Sequence, residues 1–254
     1  MLAYTTHGNG PGTPLLIAHG LYGSGRNWGV IAKRLSDTRT VVTVDMRNHG
    51  SSFWEDDNSY AALAGDLAQV IDSIGGPMDV VGHSMGGKAA MVLAHTRPDA
   101  LRRLVIGDIA PVGYTHTQMQ YITAMRAVDL STVTRRSEAN AQLANLGVDS
   151  ALTSFLTQSL DVSEKRWRLN LDALADNMPK IIDFPTLTST YAGPTLFLSG
   201  GTSDYVKRSD RPTIQTLFPN ARFAKIPGAG HWLHADNPRA FEANVRAYLD
   251  AETA

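Results

Sequence analysis

Residues 79–95 read DVVGHSMGGKAAMVLAH, and this stretch decides how the rest of the chain is read. Val80 and Val81 have the apolar, β-branched character of a short buried strand. Gly87 to Ala94 reads as a helix with small residues in its first turn. Between them, Gly82-His83-Ser84-Met85-Gly86 fits G-x-S-x-G in the strand–turn–helix setting that the motif requires.

The spacing has a physical cause. A serine forced into a sharp, strained turn projects its Oγ away from the sheet. Strand and helix nearly touch beside it, so the residues two before and two after must be tiny, and Gly82 and Gly86 meet that need. The same turn puts the Met85 backbone N–H at a helix N-terminus, where it can stabilise a developing oxyanion. Ser84 is therefore the candidate nucleophile. The plain alternative is an ordinary serine in a Gly-rich turn, and the flanking strand and helix weigh against it.

Outward from this turn, apolar runs of strand length recur at Leu15–Ala18, Val41–Val44, Leu104–Ile106, Thr195–Leu198 and Phe223–Ile226. Helix-like segments separate most of them: Trp28–Leu35, Tyr60–Ile74 after the Asn58-Ser59 cap, and Pro238–Leu249 after Asn237. Strands alternating with helices predict an α/β fold with a mostly parallel sheet. The rhythm breaks between Pro111 and Tyr191, a stretch without strand-like runs that is rich in Ala, Leu, Gln, Arg and Asn. At about 80 residues it is too long for one crossover. The expectation is three or four short helices forming a cap, residues 111–191, inserted into a core made of 1–110 and 192–254.

Composition narrows the class. The 254 residues are 43% hydrophobic and 19% charged, an ordinary globular balance, with 23 basic and 24 acidic residues. Nucleic acid and an anionic membrane surface are poor candidates as main partners. With no cysteine, disulfides and thiolate metal sites are excluded, and the nucleophile must be another residue type. MLAYTTHGNG has neither a basic region nor an apolar core of a leader, and no stretch approaches a membrane span, so a cytoplasmic protein is expected. No metal or organic cofactor is expected, and a monomer or small homo-oligomer fits the size.

A second oxyanion amide usually comes from the loop after an earlier strand. PLLIAHGLYGSGRNW, residues 14–28, supplies one: Gly20 lets the chain turn and Leu21 is the expected donor. His19, at the strand end, reads as a structural hydrogen-bonding residue. For the base, His231 lies in IPGAGHWLHADNP, after a strand, in a Gly-rich loop and late in the chain, as the order serine, acid, histidine demands. His234 is the rival, without the glycine-built loop. His83 is locked beside Ser84, and His49 in DMRNHGSS is read as ordering its own loop.

With these pieces the chain resembles an α/β-hydrolase, and more narrowly the YbfF-type bacterial esterases and their mitochondrial relatives. The resemblance rests on His19-Gly20-Leu21-Tyr22-Gly23-Ser24, Asp45-Met46-Arg47-Asn48-His49-Gly50, Gly82 to Lys88, Gly107-Asp108-Ile109-Ala110-Pro111-Val112 and Gly228-Ala229-Gly230-His231-Trp232. It covers nearly the whole chain. It implies an esterase with a helical cap, acting on acyl esters and on acyl thioesters such as acyl-CoA.

The acid has two candidates. Most α/β-hydrolases carry it after the strand that follows the cap, in a Gly-x-x-Asp turn, and Gly201-Thr202-Ser203-Asp204 fits. Aligning Tyr205-Val206 with the YbfF-type pattern instead puts Ser203 at that position. The resemblance then implies that Asp108 is the acid and Ser203 an auxiliary. Asp108 also has a case of its own: it ends the strand in RRLVIGDIAPV, on the same sheet edge as Ser84, where a carboxylate can fix the tautomer of the imidazole. Asp108 is favoured and Asp204 is kept as the alternative.

The candidate pocket walls are Tyr22, Trp28, Tyr114 and Trp232, with Met119, Ile122, Phe155 and Trp167 from the cap. Arg47, Lys88 and Lys207 could meet a charged substrate group, although structural or solvated roles suit each. The expected activity is ester or thioester hydrolysis through an acyl-enzyme. The alternatives are a C–C bond hydrolase using the same triad and a receptor-like binding protein on the same fold.

Overall fold

The computed structural model describes residues 1–251. The chain begins with β1 (Tyr4–Ala18), α1 (Gly29–Leu35), β2 (Arg39–Val44), α2 (Tyr60–Ile74), β3 (Met78–His83), α3 (Met85–Thr96) and β4 (Leu101–Gly107). The stretch between β4 and the next sheet strand holds α4 (Met119–Ala127), α5 (Arg136–Asn145), α6 (Ser150–Leu156), β5 (Leu160–Asp161), β6 (Arg166–Trp167), α7 (Leu171–Asp176) and α8 (Met178–Ile182). The chain closes with β7 (Thr195–Gly200), α9 (Arg211–Leu217), β8 (Ala221–Ile226), α10 (Leu233–Asp236) and α11 (Pro238–Asp250).

Six strands form one sheet in the order β2-β1-β3-β4-β7-β8, parallel from β1 through β8. The first half of β1 runs antiparallel to β2, with Tyr4 opposite Val44 and His7 opposite Val41. Beyond the glycines at 8, 10 and 12, Leu15 stands opposite Val41 and Ile17 opposite Thr43, so both halves of β1 use β2 as a partner. The apolar-run reading found only Leu15–Ala18. The preceding residues are polar and Gly-rich, and it is backbone pairing that makes them strand.

Side-chain alternation along each strand sorts the core into two layers. Leu16, Val80, Leu104, Ile106 and Phe197 face one way, into a cluster that includes the buried faces of α2 and α3. Ile17, Val81, Val105, Leu196 and Leu198 face the other, with Ile31 and Leu35 of α1 and Phe241 and Val245 of α11. Local signals fix the flanking helices. The Ser59 side chain caps α2 by accepting from the Ala62 amide at 3.3 Å, and Gly75 ends it in the left-handed region at φ +97°. Asn237 caps α11 through the Ala240 amide at 3.1 Å.

Residues 111–191 differ from the expectation in detail. They form five helices rather than three or four, together with a two-stranded ribbon, β5 and β6. Strands of two residues leave no periodic signal in the sequence. No helix among the described residues is long and apolar enough to cross a membrane.

Candidate active site

Four loops at the C-terminal ends of adjacent parallel strands meet at one point. Ser84 follows β3, Asp108 follows β4, Ser203 follows β7 and His231 follows β8. In open α/β sheets this edge is where ligands bind.

Ser84 sits at φ 52° and ψ −119°, a strained conformation for a residue with a side chain. Its amide donates to the Gly107 carbonyl at 3.1 Å, and its carbonyl accepts from the Lys88 amide at 3.0 Å, so the turn is tied at both ends. The flanking glycines are required by contact. A Cβ on Gly82 would lie 2.4 Å from the Gly86 carbonyl oxygen, and one on Gly86 would lie 2.4 Å from that of Ala18.

His231 Nε2 lies 3.2 Å from Ser84 Oγ, and His231 Nδ1 lies 2.8 Å from Asp108 Oδ2. Asp108 is fully buried and sits at φ +48°. Its amide donates to the Leu198 carbonyl at 2.9 Å. Its Oδ1 accepts from the Gly200 amide at 2.9 Å, and its Oδ2 also accepts from Ser203 Oγ at 2.5 Å. Asp204, one residue on from Ser203, is exposed. A hydroxyl, an imidazole and a buried carboxylate thus stand in hydrogen-bonded series. Such a series can take a proton from the hydroxyl as it attacks and return it later.

The other histidines near Ser84 are engaged elsewhere. His83 Nε2 donates to the His231 carbonyl at 2.8 Å, and burial together with His231 and His234 holds it neutral, well below the usual histidine range. His234 is buried and stacked on Trp28 with ring centroids 4.0 Å apart, and burial pushes it down to about 3.

Leu21 and Met85, the expected amide donors, both border the cavity beside Ser84. Gly20 brings the first loop close: a Cβ there would lie 3.1 Å from Ser84 Cβ. The cavity measures about 200 Å³. Tyr22, Trp28, Tyr114, Trp232 and Phe155 line it, but Met119, Ile122 and Trp167 do not. Ile122 is wholly buried, and the Trp167 indole donates to the Met125 carbonyl at 2.9 Å inside the insert. Met119 packs against the large core cluster. Helical spacing in the insert marks buried positions without separating core from cavity.

Arg47 pairs with Asp66 at 2.6 Å and Lys207 is exposed, so neither borders the cavity. Lys88 does border it, as do Tyr60, His116, Tyr121 and Tyr205. Nothing local in the sequence distinguishes those four; Tyr60 and Tyr121 stand on α2 and α4 and His116 and Tyr205 on loops, and they converge only in the fold. Among the described residues no group of three or more His, Asp or Glu side chains could hold a metal ion.

Sheet order, strained serine turn and site position define one class of protein. Residues 13–238 match the alpha/beta hydrolase fold family, and the chain belongs to that family. The chain is 42% identical over 246 residues to the sn-1-specific diacylglycerol lipase ABHD11 of Mus musculus, covering 92% of this chain and 80% of that protein. It is 36% identical over 250 residues to Esterase YbfF of Escherichia coli (strain K12), covering 98% and 96%. A solved structure described as a marine microorganism esterase superposes with a TM-score of 0.92 at 38% identity, covering 97% of this chain and 98% of that one. Within the family the likeness is to the YbfF-type esterases, and the protein is an enzyme of the carboxylesterase type.

Proposed function

We propose that the protein hydrolyses carboxylic esters, and acyl thioesters by the same steps, through Ser84, His231 and Asp108 and an acyl-enzyme. The observation that carries the reading is the unbroken series Ser84 Oγ, His231 imidazole, Asp108 carboxylate, at 3.2 and 2.8 Å. Asp108 accepts a hydrogen bond from Nδ1–H and so keeps the proton of the neutral ring on Nδ1, which leaves Nε2 free to take the one on Ser84 Oγ. Ser84 Oγ then attacks the acyl carbon, and the Leu21 and Met85 amides receive the oxyanion. As the tetrahedral adduct collapses, the C–O or C–S bond breaks and His231 returns the proton to the leaving alcohol or thiol. Water repeats the sequence on the acyl-enzyme and releases the acid.

Residues 111–191 act as a cap in this reading. Leu152, Phe155, Ile181 and Ile182 of that segment border the cavity together with Tyr22 and Met85, which gives an acyl chain an apolar enclosure.

A fluorophosphonate probe tests the nucleophile: it should label the native enzyme and fail on Ser84→Ala. An acyl-chain series of activated esters, run beside acyl-CoA thioesters and a diacylglycerol (the class named for the mouse relative), tests the substrate. Turnover of at least one ester with loss in Ser84→Ala is expected. Labelling that survives Ser84→Ala, or an inert panel, overturns the reading.

A further inference from the structure

Two buried histidines lie outside the series just described. His19 follows β1 and is 1% exposed; His49 follows β2 and is 0% exposed. Their rings meet edge to face with centroids 5.1 Å apart. His19 Nε2 accepts from the Met46 amide at 2.9 Å, on the loop that carries His49. His49 Nε2 accepts from the Tyr22 amide at 3.1 Å, on the loop that carries His19. Each imidazole therefore reaches into the other's loop.

The tautomers follow from the partners. An Nε2 that accepts from an amide carries no proton, so in each ring the proton is on Nδ1. His19 Nδ1 donates to the Gly20 carbonyl at 2.8 Å, and His49 Nδ1 donates to the Arg47 carbonyl at 2.8 Å. Burial keeps both rings neutral, pushing His19 down to about 4 and His49 down to about 3.

These bonds bear on Leu21 from both sides. The peptide unit joining Gly20 to Leu21 is planar and trans, so its carbonyl and its N–H point in opposite directions. Holding the Gly20 carbonyl with His19 therefore fixes where the Leu21 N–H is aimed. The Gly23 amide binds the same carbonyl at 3.0 Å. The next peptide unit ends in the Tyr22 amide, which His49 holds. Tyr22 itself is at φ +64°, and its carbonyl accepts from Ser159 Oγ at 2.9 Å. The loop is held in a conformation it would not otherwise favour.

We propose that His19 and His49 are positioning residues for the oxyanion hole, a reciprocal pair that fixes the two peptide planes on either side of Leu21 and so aims its amide at the reacting carbonyl. The proposal rests on the reading of Leu21 as an oxyanion donor. It assigns the RNHG segment, residues 47–50, a part in catalysis that involves no contact with substrate.

The two roles call for different replacements. An asparagine amide can stand in for the Nδ1 donor, and a glutamine carbonyl for the Nε2 acceptor. At position 19 the bond that orients Leu21 comes from Nδ1, so His19→Asn should retain activity and His19→Gln should not. At position 49 it comes from Nε2, so His49→Gln should retain activity and His49→Asn should not. The measurement is kcat and KM on an activated ester, with kcat referred to active sites titrated to completion with fluorophosphonate, so that a misfolded fraction drops out. The expected loss is about 10- to 100-fold in kcat for His19→Gln and His49→Asn, below the ~10²–10³ cost of deleting an oxyanion donor outright. KM should stay within about threefold, since these contacts matter when charge develops. Equal kcat per titrated site across the four variants overturns the proposal, as does a reversed order at either position. Each position is tested by its own pair of variants, so a variant that yields no folded protein leaves the other pair to decide. Absent labelling of the native enzyme would instead sink the Ser84 reading.

Discussion

Ser203 Oγ and Asp108 share a hydrogen bond of 2.5 Å, on the same carboxylate oxygen that His231 Nδ1 meets at 2.8 Å. The turn after β7, where most α/β-hydrolases hold their acid, thus contributes a hydroxyl to a carboxylate that comes from the turn after β4. Asp108→Asn should therefore lower kcat by about 10⁴-fold, the scale set by the wrong-tautomer histidine of the known serine-protease case. Asp204→Asn, at an exposed position, should stay within about twofold on the scale of neutral surface changes. Ser203→Ala removes one bond to a charged group and should cost about tenfold or more. Steady-state kinetics on one activated ester rank the three, and a large loss at Asp204 with none at Asp108 would reverse the assignment.

Tyr205 provides a second constraint on the same histidine. Its ring stacks on His231 with centroids 3.8 Å apart and planes 17° from parallel, and its amide donates to Ser203 Oγ at 3.3 Å. Residues 203 to 205 therefore contact both Asp108 and His231. Tyr205→Phe keeps the stacked face and should retain most of kcat. Tyr205→Leu removes it and should lose about 3- to 10-fold, in line with the ~0.5–1.5 kcal/mol that aromatic pairs contribute beyond burial. A Phe variant as impaired as Leu would mean that the phenol, held 3.0 Å from His116 Nε2, matters more than the ring.

What the sequence disclosed follows the range of each signal. Ser84 and His231 stand in local glycine-rich turns whose spacing can be read without the fold. Asp108 could be weighed because it follows the apolar run Leu104–Ile106 and Gly107, at the end of a strand. The lure of Asp204 was equally local: a carboxylate three residues after Gly201, on the expected loop. The His19–His49 exchange and the Tyr205 stack were out of reach, since each joins loops from different strands. From its neighbours in sequence alone, His49 reads as ordering its own loop. It does so through Arg47, but its other nitrogen holds Tyr22 on a different loop. The first half of β1 escaped for another reason: its pairing with β2 uses backbone groups that leave no hydrophobic trace.

Lys88 gives a prediction of the same pH sign as the buried histidines, in a higher pH window. Its ammonium donates to the Ile182 and Asp183 carbonyls at 3.0 and 2.7 Å and lies 4.8 Å from the Tyr114 ring centre. Burial lowers it from the usual 10.5 to about 7. Lys88→Met leaves both carbonyls without this donor and should destabilise the protein by about 1–3 kcal/mol. Between pH 7 and 10.5 the unfolded chain holds a proton on Lys88 that the native state has shed, so the stability of the wild type rises with pH there relative to the variant. The gap in midpoint between wild type and Lys88→Met should widen from pH 7 to 10. A constant gap would mean that the native lysine keeps its charge across that range.

Acid should weaken the fold through the buried histidines. Burial lowers His19 to about 4, and His49 and His234 to about 3, from 6.5 in the unfolded chain. As the pH falls below 6.5 the unfolded chain binds protons that the native state does not, so this contribution is full above 6.5 and is lost progressively toward pH 3–4. His234 is the cleanest of the three to isolate, because phenylalanine can keep its stack on Trp28. His234→Phe deletes one proton-binding group from the unfolded chain. Its unfolding free energy should fall less steeply than that of the wild type from pH 6.5 to 4, by up to about 1.4 kcal/mol per pH unit for a single proton. The carboxylates that titrate at the bottom of this range are common to both proteins and cancel in the difference. Urea titrations at half-unit steps measure the two slopes. Parallel slopes would show that His234 takes up its proton in the folded protein, against the burial that encloses it.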